Sequence, residues 1–184
     1  MAGDRAALIS LLKERSVRFG EFTLASGARS PYYIDCRLTT MSAPGQLLIG
    51  GLGLQAIRAA GWAPDAIGGL TMGADPVAYA IAAASAATPS PVDAFSVRKE
   101  AKKHGTGRRI EGNFKAGNRV IVIEDVITSG GSAITAIEAI REEGWEVLGL
   151  LALVDREAGG REKIEAVGVP VLALVSASEL GIGA

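Results

Sequence analysis

The chain has 184 residues, 48% of them hydrophobic, with a mean hydropathy of +0.28 and a formal net charge of −1. This length builds one domain with a substantial core, the hydrophobic content excludes a disordered polymer, and the near-neutral total gives no general pull toward nucleic acid or acidic membranes. The sole cysteine, Cys36, excludes an internal disulfide, the first 16 residues lack the apolar core of a signal peptide, and no apolar run is long enough to span a bilayer, so the expectation is a cytoplasmic protein.

In chain order, Asp4 caps a first helix with Ala7, Leu8, Leu11 and Leu12 on one apolar face, ending near Ser16. Residues 17–24 alternate apolar and polar, Ser26 and Gly27 turn the chain, and residues 31–35 (PYYID) read as a second short strand. Together, residues 1–40 make a small flap packed on a larger body, with Phe22, Tyr32 and Tyr33 serving either as flap core or as a stacking face. Ser42 and Pro44 open a helix that Gly61 ends, with Leu47, Leu48, Leu54 and Ile57 on its buried side. Gly50, Gly51 and Gly53 each cost that helix up to ~1 kcal/mol relative to Ala, which points to a close helix contact such as one at a subunit interface.

Residues 65–70 form a strand that ends in Thr71-Met72-Gly73-Ala74, after which Asp75-Pro76 starts an Ala-rich helix that stops before Pro89. A third strand covers 92–97. The segment 98–112, RKEAKKHGTGRRIEG, then carries six of the nineteen Lys and Arg residues and the only histidine. A connector of that length without structure is unusual unless it has a function, and an active-site lid is the common one. Strands at 147–154 and 169–175 complete an alternation of strands and helices, which gives an α/β fold with a central parallel sheet flanked by helices, undivided over 1–184.

The most informative stretch is 119–132, RVIVIEDVITSGGS. Val120 to Ile123 form a β-branched run of the kind buried on both faces of a parallel sheet, and it stops at two carboxylates, Glu124 and Asp125. Thr128-Ser129-Gly130-Gly131-Ser132 follows, and Ala133, Ile134, Ile137 and Ile140 then recur at helical spacing until Gly144. Small residues let the backbone approach an anion, hydroxyls donate to it, and the helix start favours negative charge. The spacing is neither that of a Walker loop nor GxGxxG. Two acids beside a phosphate cradle would repel the ligand unless they grip its hydroxyls or its metal, and a sugar phosphate meets both demands.

This stretch closely resembles the phosphoribosyl pyrophosphate (PRPP) motif of type I phosphoribosyltransferases. Residues 22–35, FTLASGARSPYYID, are similar to the substrate flap of orotate phosphoribosyltransferases, and 98–105 match their RKxxKxHG loop. The resemblance implies the type I phosphoribosyltransferase fold with an amino-terminal hood, transfer of phosphoribose from PRPP to orotate with release of pyrophosphate, and Mg²⁺ held mainly by PRPP and water rather than by protein ligands. It implies PRPP contacts from Arg98, Lys99, Lys102 and His104 and from Glu124, Asp125, Val126, Ile127, Thr128, Ser129, Gly130, Gly131 and Ser132. Lys102, His104 and Asp125 are the implied catalytic residues, and Thr128 and Arg156 the implied orotate contacts, a guanidinium being suited to a planar carboxylate. A homodimer, in which the 98–109 loop completes the neighbour's site, is also implied.

Two departures stand out. Many relatives carry a lysine where this chain has Ala25, and another in the loop that here reads Thr71-Met72-Gly73-Ala74, the family's pyrophosphate loop. These losses leave open a different nucleobase as substrate, and the fold also admits a PRPP-sensing regulator that binds nucleic acid. One basic loop without interleaved aromatics is weak support for the latter, so no nucleic-acid or membrane partner is expected.

Overall fold

The computed structural model describes residues 2–23, 29–100, 109–113, 115 and 117–182. Helix α1 (Ala2–Arg15) leads into a hairpin of β1 (Val17–Thr23) and β2 (Arg29–Ile34), and short α2 (Arg37–Thr40) and long α3 (Ala43–Ala59) follow. The body continues with β3 (Ala66–Leu70), α4 (Ala74–Ser85), β4 (Asp93–Val97), β5 (Ile110–Gly112) and β6 (Arg119–Ile127). It closes with α5 (Gly131–Glu142), β7 (Glu146–Asp155), α6 (Gly160–Ala166), β8 (Val171–Ser176) and α7 (Ala177–Leu180). Among the described residues no helix is long and apolar enough to cross a membrane.

The hairpin stands apart as a two-stranded antiparallel sheet, and the main sheet has the order β5-β4-β3-β6-β7-β8. All neighbours in the main sheet are parallel except β5, which runs antiparallel to β4. Successive β6 side chains enter opposite cores, as strand geometry demands. Ile121 and Ile123 pack with Ile57, Ile81 and Leu151 on the α3/α4 side, and Val120 and Val122 pack with Ile137, Ile140 and Ile164 on the α5/α6 side. Because β4 lies on one side of β3 and β6 on the other, strand order reverses between β3 and β6, where open α/β sheets leave a crevice at their carboxyl ends.

Several expectations are corrected. Helix α1 starts ahead of Asp4, which sits in its first turn, and Leu8 and Leu12 are buried while Ala7 is exposed. On α3 the glycines mark the centre of the buried face. A Cβ on Gly50 would lie 2.5 Å from the Ala80 carbonyl oxygen and one on Gly53 2.5 Å from Ile81, so the close helix contact is with α4 of the same chain, whereas Gly51 has open space. Leu47 falls off that face and is 79% exposed. The segment 98–112 is not structureless throughout, since Ile110–Gly112 pairs with Phe95 to Val97. Strand β6 does not stop at Ile123, because Glu124, Val126 and Ile127 still pair with β7.

Candidate active site

The crevice between β3 and β6 opens into a cavity of about 670 Å³, walled by Tyr33 and Arg37 from the flap side, Thr71 to Gly73 from the end of β3, Lys99, and Glu124, Asp125, Thr128, Ser132 and Arg156. Pairing of β6 with β3 ends at Val122, while pairing with β7 runs on to Ile127. The two acids therefore sit on a strand that outruns one neighbour, which leaves them facing the opening. The backbone at Gly73 passes close to this carboxylate, since a Cβ there would lie 2.6 Å from Asp125 Oδ1.

Glu124 is 8% exposed and Asp125 half-buried. Burial first, and then the negative charge of Asp125, push the Glu124 carboxyl up to about 8. The raised Glu124 carboxyl stands beside Asp125 in the cavity wall, where the oxygens of both side chains can meet a ligand's hydroxyls. Asp125 Oδ1 accepts from the Val126 amide at 2.9 Å. Cys36 forms part of the same wall, and its thiol lies well above the ordinary range because it is buried, with Asp125 and Asp35 adding to the effect, so it is a structural thiol.

After β6, Gly130 takes a left-handed conformation (φ 78°) and caps α5, with Thr128 and Ser132 on the cavity wall at either side of the turn. The back of this loop rests on the start of α6, where a Cβ on Gly160 would lie 2.3 Å from the Thr128 carbonyl oxygen. Val126 is half-buried and lines the cavity, but Ile127 is core, so only its backbone faces the loop. The Ile127 carbonyl accepts from the Arg156 amide at 3.0 Å and so sets Arg156 beside the loop.

The Arg156 guanidinium lies over the Tyr32 ring, 4.9 Å from its centroid, and its buried Nε has no hydrogen-bond partner among the described residues. The neighbouring acids are engaged elsewhere: Asp155 with Arg161 at 2.8 Å, and Glu157 with the Ser178 amide at 2.9 Å. Arg156 is thus no surface bridge. Of the cationic segment, Lys99 lines the cavity while Arg98 pairs with Glu111 at 3.0 Å. Lys102, His104 and Ala25 lie outside the described residues. Sequence reasoning missed the Asp35–Arg37 pair at the flap's foot (2.8 Å), whose only signal is two opposite charges directly after a strand. Among the described residues no three His, Cys, Asp or Glu side chains cluster as a metal site.

The family model for the phosphoribosyl transferase domain matches residues 44–171. The chain is 47% identical over 180 residues to an orotate phosphoribosyltransferase of Aquifex aeolicus, covering 96% of this chain and 97% of that one. It belongs to the orotate phosphoribosyltransferase family. A Corynebacterium glutamicum orotate phosphoribosyltransferase is 49% identical over 181 residues, covering 98% and 96% of the two chains. The crystal structure of Mycobacterium tuberculosis orotate phosphoribosyltransferase in complex with PRPP superposes with a TM-score of 0.82 at 40% identity, over 97% of this chain and 99% of that one. The orotate phosphoribosyltransferase family thus accounts for the flap as well as the α/β body, since these matches run over nearly the whole chain.

Proposed function

We infer that the chain transfers the 5-phosphoribosyl group from PRPP to orotate, giving orotidine 5′-monophosphate and pyrophosphate on the route to UMP. One observation carries this reading: Arg156, whose Nε has no partner among the described residues, lines the same cavity as the acid pair and the hydroxyl-rich loop. The 5′-phosphate is assigned to residues 128–132, the ribose hydroxyls to Glu124 and Asp125, and the orotate carboxylate to Arg156 and Thr128.

In the reaction the bond from C1 to the pyrophosphate oxygen breaks with its electron pair leaving on pyrophosphate. The orotate ring nitrogen bonds to C1 and its proton is released. Charge grows on the leaving group and on an oxocarbenium-like sugar, so the protein's task is to hold the reactants in line and neutralise charge. Backbone amides of 72–74 and Lys99, with Arg98, Lys102 and His104 of the same segment, supply that neutralisation, and His104 is the assigned proton donor to pyrophosphate. The carboxylate oxygens of Glu124 and Asp125 suit a hard cation, and Mg²⁺ carried on PRPP and water would lower the charge of the diphosphate.

We assign a homodimer in which the 98–109 loop reaches the neighbour's cavity. Exposed Leu38, Met41, Leu47, Met72 and Tyr79, on α2, α3 and the 71–79 region, offer apolar surface for a second copy. The single buried cysteine suits a reducing, cytoplasmic setting. The direct test is orotate consumption with PRPP and Mg²⁺, beside uracil, adenine and hypoxanthine. Only orotate should be consumed, and equal turnover of uracil would remove the carboxylate from recognition.

A further inference from the structure

Asp75 has no place in the chemistry above, yet a third carboxylate beside a diphosphate site calls for a physical reason. It sits half-buried in the first turn of α4, where the helix start favours its charge. Its Oδ2 accepts from the Thr71 hydroxyl at 2.6 Å and its Oδ1 from the Ser96 hydroxyl at 2.8 Å. With the Ser96 proton used in that bond, the 2.9 Å contact between Ser96 and the Tyr79 hydroxyl has Tyr79 as donor. The Thr71 amide donates in turn to the Val97 carbonyl at 2.8 Å.

Two parts of the site meet at this carboxylate. Thr71 opens the loop that lines the cavity at Met72 and Gly73, and this loop has no lysine, so its hold on an anion rests on backbone amides whose direction the loop conformation sets. Ser96 stands on β4 two residues ahead of Arg98 and three ahead of Lys99, where the cationic segment leaves the sheet. Both donors bond the same charged acceptor, and such bonds are about twice as strong as neutral ones.

We propose that Asp75 is a positioning residue that locks the 71–74 loop and the root of the cationic segment into one unit, and so sets the enzyme's grip on the pyrophosphate end of PRPP. This rests on the orotate phosphoribosyltransferase reading. Asp75→Ala raises KM for PRPP about ten-fold, the equivalent of one hydrogen bond to a charged group, and leaves KM for orotate within about two-fold. Ser96→Ala moves KM for PRPP in the same direction by less, Ser96→Thr restores it, and Asp75→Ala/Ser96→Ala is no worse than Asp75→Ala alone because both act through one network. Calorimetric titration with Mg²⁺-pyrophosphate shows the same order of affinities. Unchanged pyrophosphate affinity in Asp75→Ala, or equal rises in both KM values, would overturn the proposal. If Asp75→Ala does not fold, the Ser96→Ala and Ser96→Thr pair decides by the same readout. A wild-type chain that binds pyrophosphate but does not turn over orotate would sink the activity and not the positioning role, which the pyrophosphate titration reads by itself.

Discussion

The Arg156 guanidinium sits over the Tyr32 ring, 4.9 Å from its centroid, so a flap aromatic serves as the platform for a cation that leaves the sheet at the end of β7. The ring face attracts the cation, and a guanidinium is the side-chain group that can take a carboxylate in two parallel hydrogen bonds. Arg156→Lys keeps the charge but loses the fork and the stack. It should raise KM for orotate by roughly 10- to 100-fold, with KM for PRPP nearly unchanged. Steady-state kinetics with each substrate varied decides this, and an unchanged orotate KM would free Arg156 from that role.

The acid pair gives a pH dependence with a definite sign. Burial and Asp125 raise the Glu124 carboxyl from 4.5 to about 8, so between these values the native chain holds a proton that the unfolded chain has lost. Its stabilising contribution is therefore full below about pH 4.5 and falls away as pH rises through about 8. Glu124→Gln should flatten the fall, as read by urea unfolding at about pH 6 and about pH 9. Ribose hydroxyls that donate to Glu124 favour its ionised form, so PRPP binding below that pH should release protons, visible as buffer-dependent heats in calorimetry.

Gly160 is the steric support of the 128–132 loop. Placing a methyl 2.3 Å from the Thr128 carbonyl forces the loop or α6 to move. Gly160→Ala should cost about 1–3 kcal/mol, a fall of roughly 2–10 °C in Tm, and should weaken PRPP binding. A variant with wild-type Tm and PRPP affinity would show that the loop has slack.

The assigned dimer is testable by complementation. Lys102→Ala and Asp125→Asn should each be nearly inactive alone. After subunit exchange, half of the dimers carry one intact site, so roughly a quarter of wild-type activity should return if the 98–109 loop acts across the interface. No recovery, with exchange confirmed by mass, would place the loop over its own chain's cavity.

Much of this was legible in the sequence because local pattern and tertiary fate agree. The Val120 to Ile123 run is buried on both faces, and the turn at Gly130 takes the left-handed conformation that glycine permits. The flap hairpin was legible from alternation on either side of a turn. What escaped depends on distant partners. Strand β5 is three residues in a charged segment and exists only by pairing with β4. The extension of β6 through Glu124 to Ile127 is held by β7, whereas the carboxylates break the hydrophobic pattern. The buried face of α3 holds Leu54 and Ile57 as expected, but close approach of α4 also brings Gly50 and Gly53 onto it and leaves Leu47 outside. Helix α6 is a single short element behind two glycines, and the Asp75–Ser96 bond joins residues whose relation appears only once β4 lies beside β3.

A crystal structure with PRPP and Mg²⁺ bound is the most direct test of the whole account. It should place the 5′-phosphate on the amides and hydroxyls of residues 128–132, with the ribose diol against Glu124 and Asp125 and the diphosphate over Thr71 to Gly73. A 5′-phosphate bound away from the Gly130–Gly131 turn would contradict it.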